Sequence, residues 1–247
     1  MSWFGGDKRR RPRLSERLFN RFVYKYYGKN LLIDLQLEAK RETVAYIKAK
    51  MPDALMFRDR WELLDFAVKE ARPAGLFLEF GVEKGASLRA IAQLVPGPVH
   101  GFDSFEGLPE AWGGTFELRG KFSQQGKPPA VPANVLLHVG WFDRTLPAFI
   151  ARLPGGDDEA ASVAFLHVDC DLYSSTRIVF EHLGSRIRPG TVILFDEYFN
   201  YPNWQRHEFC AFQEFVAARN VRYSYLGFSV KNGHVAVRID AIGPAAH

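Results

Sequence analysis

Between Gly75 and Phe195 short apolar runs alternate with helical segments, and this alternation limits the possible fold more than any other feature of the chain. The runs are Leu76–Phe80, Val99–Asp103, Val135–His138, Val163–Val168 and Thr191–Phe195. Helical periodicity lies between them at Ser87–Leu94, Arg144–Arg152 and Ser174–Ile187. A run with no polar alternation is a strand covered on both faces. Such strands, separated by helices, form βαβ units and therefore a parallel sheet. Further on, Trp204–Ala218 reads as a helix with Phe209, Phe212, Phe215 and Val216 on one side. Arg222–Ser229 and His234–Ile239 then alternate around Asn232-Gly233, the strongest short-range hairpin signal. The expected architecture is α/β: five parallel strands, a helix and a C-terminal antiparallel hairpin.

The segment before this sheet has a different character. Ser15–Tyr27, Leu31–Lys50 and Arg60–Ala71 each carry apolar residues at helical spacing, among them Leu18, Phe19, Phe22, Leu32, Leu35, Trp61 and Leu64. Stripes of this kind mark core or helix–helix packing. The expected organisation is a flexible basic leader at 1–14, a helical extension or lid at 15–73, the main α/β domain at 74–240 and a short tail at 241–247. Charge follows the same division. Residues 1–60 hold 15 Lys/Arg and 7 Asp/Glu, whereas the remainder holds 17 and 21. Lys8, Arg9, Arg10, Arg11 and Arg13 form the densest basic cluster. Such a run serves an acidic partner, a nucleic acid or an anionic membrane, or is a solvated leader. No aromatic residues interleave with it, and the rest of the chain is net acidic, so a nucleic-acid partner is not expected. No apolar run approaches the roughly 20 residues of a spanning helix. No apolar stretch follows the basic cluster, as a secretory signal requires. Cys170 and Cys210 form no C-x-x-C pair. The compartment expected from these features is the reducing cytoplasm.

The first strand runs into Glu79-Phe80-Gly81-Val82-Glu83-Lys84-Gly85-Ala86-Ser87. Glycines at a strand-to-helix turn let the backbone turn tightly and approach a ligand. The spacing is not the G-x-G-x-x-G of dinucleotide folds, and Glu79 would repel a pyrophosphate. It would attract a cation such as the ammonium of an amino-acid-bearing ligand. Asp103 ends the second strand 24 residues later, where a ribose-binding acid belongs. The stretch Ser104–Pro132 is long and rich in Gly and Pro but holds Phe105, Trp112, Phe116 and Phe122. It reads as a functional loop that packs on something.

Carboxylates finish two later strands: Asp169 and Asp171 after the fourth, Asp196 and Glu197 after the fifth. Ligands bind outside the carboxyl ends of an open α/β sheet. Clustered acids there repel unless a cation or proton intervenes. Asp169, Asp196 and Glu197 are therefore candidate oxygen ligands for Mg²⁺ or a similar hard ion. Asp171 or Ser174 is read as capping the next helix. Asp169 and His207 are candidate bases, and His167 reads as a satisfied core residue. Trp112, Tyr173 and Tyr198 are candidate acceptor-pocket residues.

These residues resemble a family. The runs Phe77–Ser87, Gly101–Pro109, Gly140–Phe142, His167–Thr176 and Phe195–Tyr198, in this order, are similar to class I S-adenosylmethionine-dependent methyltransferases. The nearest likeness is to the macrocin O-methyltransferase (TylF/MycF-like) group. The resemblance implies a Rossmann-like class I methyltransferase sheet with a cofactor over the first strands' carboxyl ends. By it Glu79, Gly81, Gly85 and Ser87 would surround the methionine part of S-adenosylmethionine. Asp103, with Ser104 beside it, would hold the ribose, Trp141 and Phe142 would lie near adenine, and Asp169 would border the cofactor. It also implies one acid after the fourth strand and an acidic pair after the fifth around a metal. The pair in that group is commonly Asp-Asp, whereas Glu197 stands second here. The lysine base of catechol-type enzymes is replaced by Leu172. The implied chemistry is in-line attack by a hydroxyl on the sulfonium methyl, on a sugar or glycosylated small molecule. Two readings of other classes stand beside it. One is a nicotinamide-dependent oxidoreductase. The other is a non-catalytic nucleic-acid- or membrane-binding protein led by the basic N-terminus. The N-terminal helices are also candidates for a homo-oligomer contact.

Overall fold

The computed structural model describes residues 14–155 and 158–243. The basic cluster Lys8–Arg13, most of the expected leader and most of the tail lie outside the described residues. The chain forms α1 (Leu14–Tyr26), α2 (Leu31–Lys50), β1 (Leu55–Phe57), α3 (Arg60–Glu70), β2 (Leu76–Phe80) and α4 (Ala86–Leu94). These are followed by β3 (Val99–Asp103), β4 (Val135–Val139), α5 (Phe142–Ile150), β5 (Val163–Val168) and α6 (Tyr173–Leu183). Last come β6 (Ile187–Phe195), α7 (Glu208–Ala218), β7 (Val221–Ser229) and β8 (Val235–Ile242).

One eight-stranded sheet has the order β1-β7-β8-β6-β5-β2-β3-β4. The five expected strands pair in parallel, and the expected hairpin is antiparallel, with β8 inserted between β6 and β7. Every residue of β2 and β5 is buried, which explains their unbroken apolar runs. β1 was not legible beforehand. It is three residues long and pairs in parallel with β7, so its signal was too short to separate from the flanking helices. Two boundaries also moved. The helix expected to reach Ile187 ends at Leu183, and Ile187 opens β6. The helix expected from Trp204 begins at Glu208, after a separate 3-10 turn at Trp204–Arg206.

The strand order reverses direction of travel between β2 and β5, and a crevice opens at the carboxyl ends of the strands at such a point. Two apolar layers hold the sheet. One packs α3 and α4 through Leu63, Leu64, Leu88 and Ile91, and the other packs α6 and α7 through Val179, Phe180 and Phe212. Burying each such side chain contributes about 1.5–3 kcal/mol. α3 starts sharply because the Asp59 carboxylate accepts from Trp61 N (2.9 Å) and Glu62 N (3.1 Å).

The N-terminal stripes resolve unevenly. α3 buries Leu63, Leu64, Ala67 and Val68. α2 reaches the core only through Ala39, Thr43, Tyr46 and Ile47, while Leu31, Leu32, Leu35 and Leu37 are exposed. α1 buries nothing, and Leu18, Phe19 and Phe22 face solvent.

Candidate active site

A cavity of about 630 Å³ lies over the carboxyl ends of β2, β3, β5 and β6. Gly81, Ser87, Asp103, Ser104, Trp141 and Phe142 line one part of it, and Asp169, Asp196, Glu197 and Trp112 line the rest. Most of the residues expected at a cofactor site are thus brought to one wall.

The turn after β2 is built by backbone demands. Gly81 has φ +90°, and a Cβ there would sit 1.7 Å from the carbonyl oxygen of Asp169. Only glycine lets β5 end this close. Gly85 has φ +71° at the start of α4. Asp103 serves the same turn: Oδ2 accepts from Val82 N and Glu83 N, both at 2.8 Å, and Oδ1 accepts from Phe105 N at 2.7 Å. Its carboxylate ties the glycine turn to the end of β3. Gly101 was missed by the sequence reading. A Cβ there would lie 2.6 Å from Leu88 Cδ2, so it sets how closely α4 packs on β3. The run Ser104–Pro132 forms no regular element, yet it is tied by Leu108 N to Lys121 O, Gly120 N to Leu108 O and Gln124 N to Phe105 O. It brings Leu108, Glu110, Trp112 and Phe122 to the cavity, as expected of a packing loop.

Five expectations about side chains need correction. Glu79 is fully buried behind the wall and does not line the cavity. Its Oε2 pairs with His167 Nδ1 at 3.0 Å, and its Oε1 accepts from the Ser87 hydroxyl at 3.2 Å. It acts on the site through Ser87, which does line it. His207 does not line the cavity either. Its Nε2 donates to Gly113 O at 2.9 Å, so it anchors the Ser104–Pro132 loop to α7, and burial holds its pKa down. That nitrogen is committed to the carbonyl, and Nδ1, though without a partner among the described residues, is buried outside the cavity lining. Tyr198 is fully buried, and its hydroxyl bonds Tyr225 at 2.8 Å within a cluster of phenols. Tyr173 donates to Glu214 at 2.8 Å on α7, away from the cavity. Nor does Asp171 or Ser174 cap α6. The cap position is Leu172, and the Ser174 hydroxyl donates to Glu110 Oε1 at 2.6 Å. Asp171 instead lines the cavity with its backbone at φ +63°.

The acidic side is a tertiary assembly. Glu79, His167, Asp196 and His234 form a buried row across β2, β5, β6 and the start of β8. Asp196 Oδ1 lies 3.2 Å from His234 Nε2 and 3.8 Å from His167 Nε2, and its Oδ2 lies 3.5 Å from Arg60 Nη1. Burial opposes ionisation of Asp196, but the bonds from His167 and His234 and the Arg60 charge hold its carboxyl far below the usual range. Burial lowers the His167 imidazole, and the bonds to Asp196 and Glu79 more than reverse that, up to about 10. The neighbours behave oppositely. Burial and then the Asp196 charge push Asp169 and Glu197 well up, and the same causes raise Asp171 to about 7. Arg60, at the start of α3, and His234, before β8, were not foreseen, because nothing local marks either as facing an acid 136 or 38 residues away.

Of the oxygen set expected for Mg²⁺, Asp169 and Asp196 come together and Glu197 does not join them. Among the described residues one group has ligand atoms within 4.8 Å of one another, and it is His167, Asp169 and Asp196, without Glu197. Asp196 already faces Arg60 and two imidazoles. Mg²⁺ prefers an all-oxygen octahedron, so these residues fit it poorly.

Residues 78–198 match the family model described as a methyltransferase domain. That span begins in β2 and ends just past β6, so it includes the glycine turn, Asp103, Trp141 and the strand-end acids. No curated protein matches the chain. Among solved structures, a calicheamicin methyltransferase is 20% identical, with 96% of this chain and 98% of that chain covered and a TM-score of 0.53. The O-methyltransferase NovP is 20% identical over 73% of this chain and 79% of its own, with a TM-score of 0.48. TomG, an O-methyltransferase from Streptomyces achromogenes solved with S-adenosylmethionine, is 19% identical over 91% and 96%, with a TM-score of 0.48. No helix among the described residues is long and apolar enough to cross a membrane. The chain thus has a Rossmann-like sheet with a cavity at its switch point, and the stretch that forms the cavity's main walls matches a methyltransferase domain.

Proposed function

We propose that the chain transfers the methyl group to a hydroxyl of a small molecule, with Asp169 as proton acceptor. The observation that carries this reading is the acidic wall. Asp169, Asp171 and Glu197 line the cavity, and each is raised by burial and by neighbouring acids. A neutral hydroxyl is a poor nucleophile and needs a base with a pKa nearer the working pH than a free carboxylate offers. The cofactor would lie along the Gly81–Ser87 turn. Asp103 would face the ribose with the acceptor capacity its three backbone bonds leave, and Trp141 and Phe142 would border adenine. Bound there, S-adenosylmethionine supplies an electrophilic methyl, and the cavity's task is to hold acceptor oxygen and methyl near attack geometry.

The acceptor would enter between Trp112, Glu110 and Glu197, under the loop that His207 anchors. A sugar or glycosylated natural product of the macrocin type fits an acidic, hydroxyl-accepting wall with one aromatic side. Metal assistance is not part of the reading, because Asp196 is already countered by Arg60, His167 and His234. The exposed apolar faces of α1 and α2 support pairing with a second copy of the chain. A cytoplasmic enzyme remains the setting we propose.

The test is calorimetric titration with S-adenosylmethionine, then release of S-adenosylhomocysteine across a panel of sugar and phenol hydroxyls, with NADH as the control ligand. Saturable binding together with turnover on a hydroxyl supports the reading. Binding with turnover only on amines or thiols would remove the O-methylation part. NADH binding in place of S-adenosylmethionine would restore the oxidoreductase reading.

A further inference from the structure

Glu208 opens α7 and is fully buried, and among the described residues no ion pair is formed by its carboxyl group. Its carboxyl group accepts from backbone amides of two separate loops. Oε1 accepts from Cys170 N at 3.3 Å and Asp171 N at 3.1 Å. Oε2 accepts from Glu197 N at 3.1 Å. The first loop follows β5 and the second follows β6, and they carry the acids that line the cavity. We propose that Glu208 is a positioning residue: one carboxyl group that clamps the two acid-bearing loops at a set separation. This rests on the reading of Asp169 as the proton acceptor.

Two features of the loops show why a clamp is needed. Asp171 sits at φ +63°, a conformation that costs a non-glycine residue and persists only where surroundings over-determine it. Leu172 N closes on Cys170 O at 2.6 Å, so the chain turns sharply inside the segment that Glu208 holds. The two amides that flank this turn have no strand partner, and a buried amide left without an acceptor costs about 1–3 kcal/mol. Glu208 satisfies both with one oxygen and spans to the β6 loop with the other. A carboxyl group has two acceptor oxygens in a fixed plane, and the amide of Gln has one, so Gln can hold one loop and must turn an N–H₂ toward the other loop's N–H.

The experiment uses the full chain as Glu208→Gln and as Glu208→Asp at pH 9, above the value of about 8 to which burial pushes the Glu208 carboxyl group, so that both its oxygens accept. Backbone amide exchange is read at residues 170, 171 and 197, with the interior of β5 and β6 as reference. Methyl transfer is read with the acceptor that the hydroxyl panel returns. A clamp predicts that Glu208→Gln speeds exchange at these amides by about tenfold or more while the strand interiors keep their protection. It predicts a kcat lowered by at least about tenfold, with the KM for S-adenosylmethionine within about threefold, because misplacement acts on the attack geometry. Glu208→Asp keeps both acceptors on a shorter arm and recovers part of kcat. If Glu208→Gln does not fold, Glu208→Asp against the parent carries the same comparison. Exchange and kcat within twofold of the parent would overturn the clamp. So would loss of protection spread evenly through β5 and β6, which would make Glu208 a general stabiliser. If the parent itself binds no S-adenosylmethionine, the functional reading fails, and the exchange at 170, 171 and 197 still decides the clamp.

Discussion

The two sides of the cavity are built in different ways. On the β2–β3 side the turn from Gly81 to Ser87 is satisfied by Asp103, about 20 residues away, through backbone bonds. On the β5–β6 side Asp196 meets Arg60, His167 and His234 from three other elements, and the Asp171 and Glu197 loops are bridged by Glu208. The first side is made of short loops closing on themselves, and its residue types follow from backbone geometry. The second is made of charges that only the folded sheet brings together. The half proposed to bind the cofactor is thus assembled by conformation, and the half proposed to react is assembled by electrostatics.

The largest effect that would sharpen this contrast comes from Gly81→Ala. The new Cβ would meet the Asp169 carbonyl at 1.7 Å with φ already at +90°. A stability loss of about 2–5 kcal/mol is expected, with S-adenosylmethionine binding lost as well, read by denaturant unfolding and calorimetry. A stable, binding-competent variant would show that the turn has room to shift. Asp103→Asn comes next. It leaves one acceptor oxygen for three backbone donors, so cofactor affinity should fall by about tenfold or more. Affinity equal to the parent would detach Asp103 from the cofactor half.

The acidic half should show itself in pH. Asp171, raised to about 7, and Glu208, raised to about 8, bind a proton more tightly folded than unfolded, where they titrate near 3.8 and 4.5. Burial is the main cause for both, and acidic neighbours add to it; amide bonds from Glu197 and Cys170 pull Glu208 the other way. Such groups contribute stability that is fully present below the unfolded pKa and lost as pH rises through the folded one. Urea midpoints should therefore fall between pH 5 and about 8, and Glu208→Gln should flatten the decline. A midpoint that climbs across this range contradicts a buried acid cluster. Chelation is expected to do less: with Asp196 countered internally, EDTA should change methyl transfer by less than about twofold. Full loss on chelation, restored by Mg²⁺, would return the metal to the site. The smallest effect is Tyr173→Phe, which removes a bond to Glu214 outside the cavity and should leave turnover unchanged.

Legibility in the sequence followed this division. The five parallel strands and the hairpin were readable because burial on both faces and an Asn-Gly turn leave local marks. Gly81, Ser87, Asp103, Trp141, Phe142, Asp169 and Trp112 were all found at the cavity, because the strand ends of this fold and the segments that follow them are predictable places. Tyr198 and Tyr173 were misplaced since an aromatic three to five residues past a strand end can turn either to the ligand or away from it. His207 was misplaced for a related reason: its neighbour in space is Gly113, 94 residues earlier.

By itself the sequence determined the sheet, the glycine turn and the presence of acids at two strand ends, since each depends on residues close in the chain or on a period of two or of 3.6. Only the tertiary structure decided which acid is free and which is neutralised. Asp196 and Glu197 are adjacent in the chain and look alike there. One points into Arg60 and two histidines, and the other faces the cavity among acids, so burial and charge move them in opposite directions.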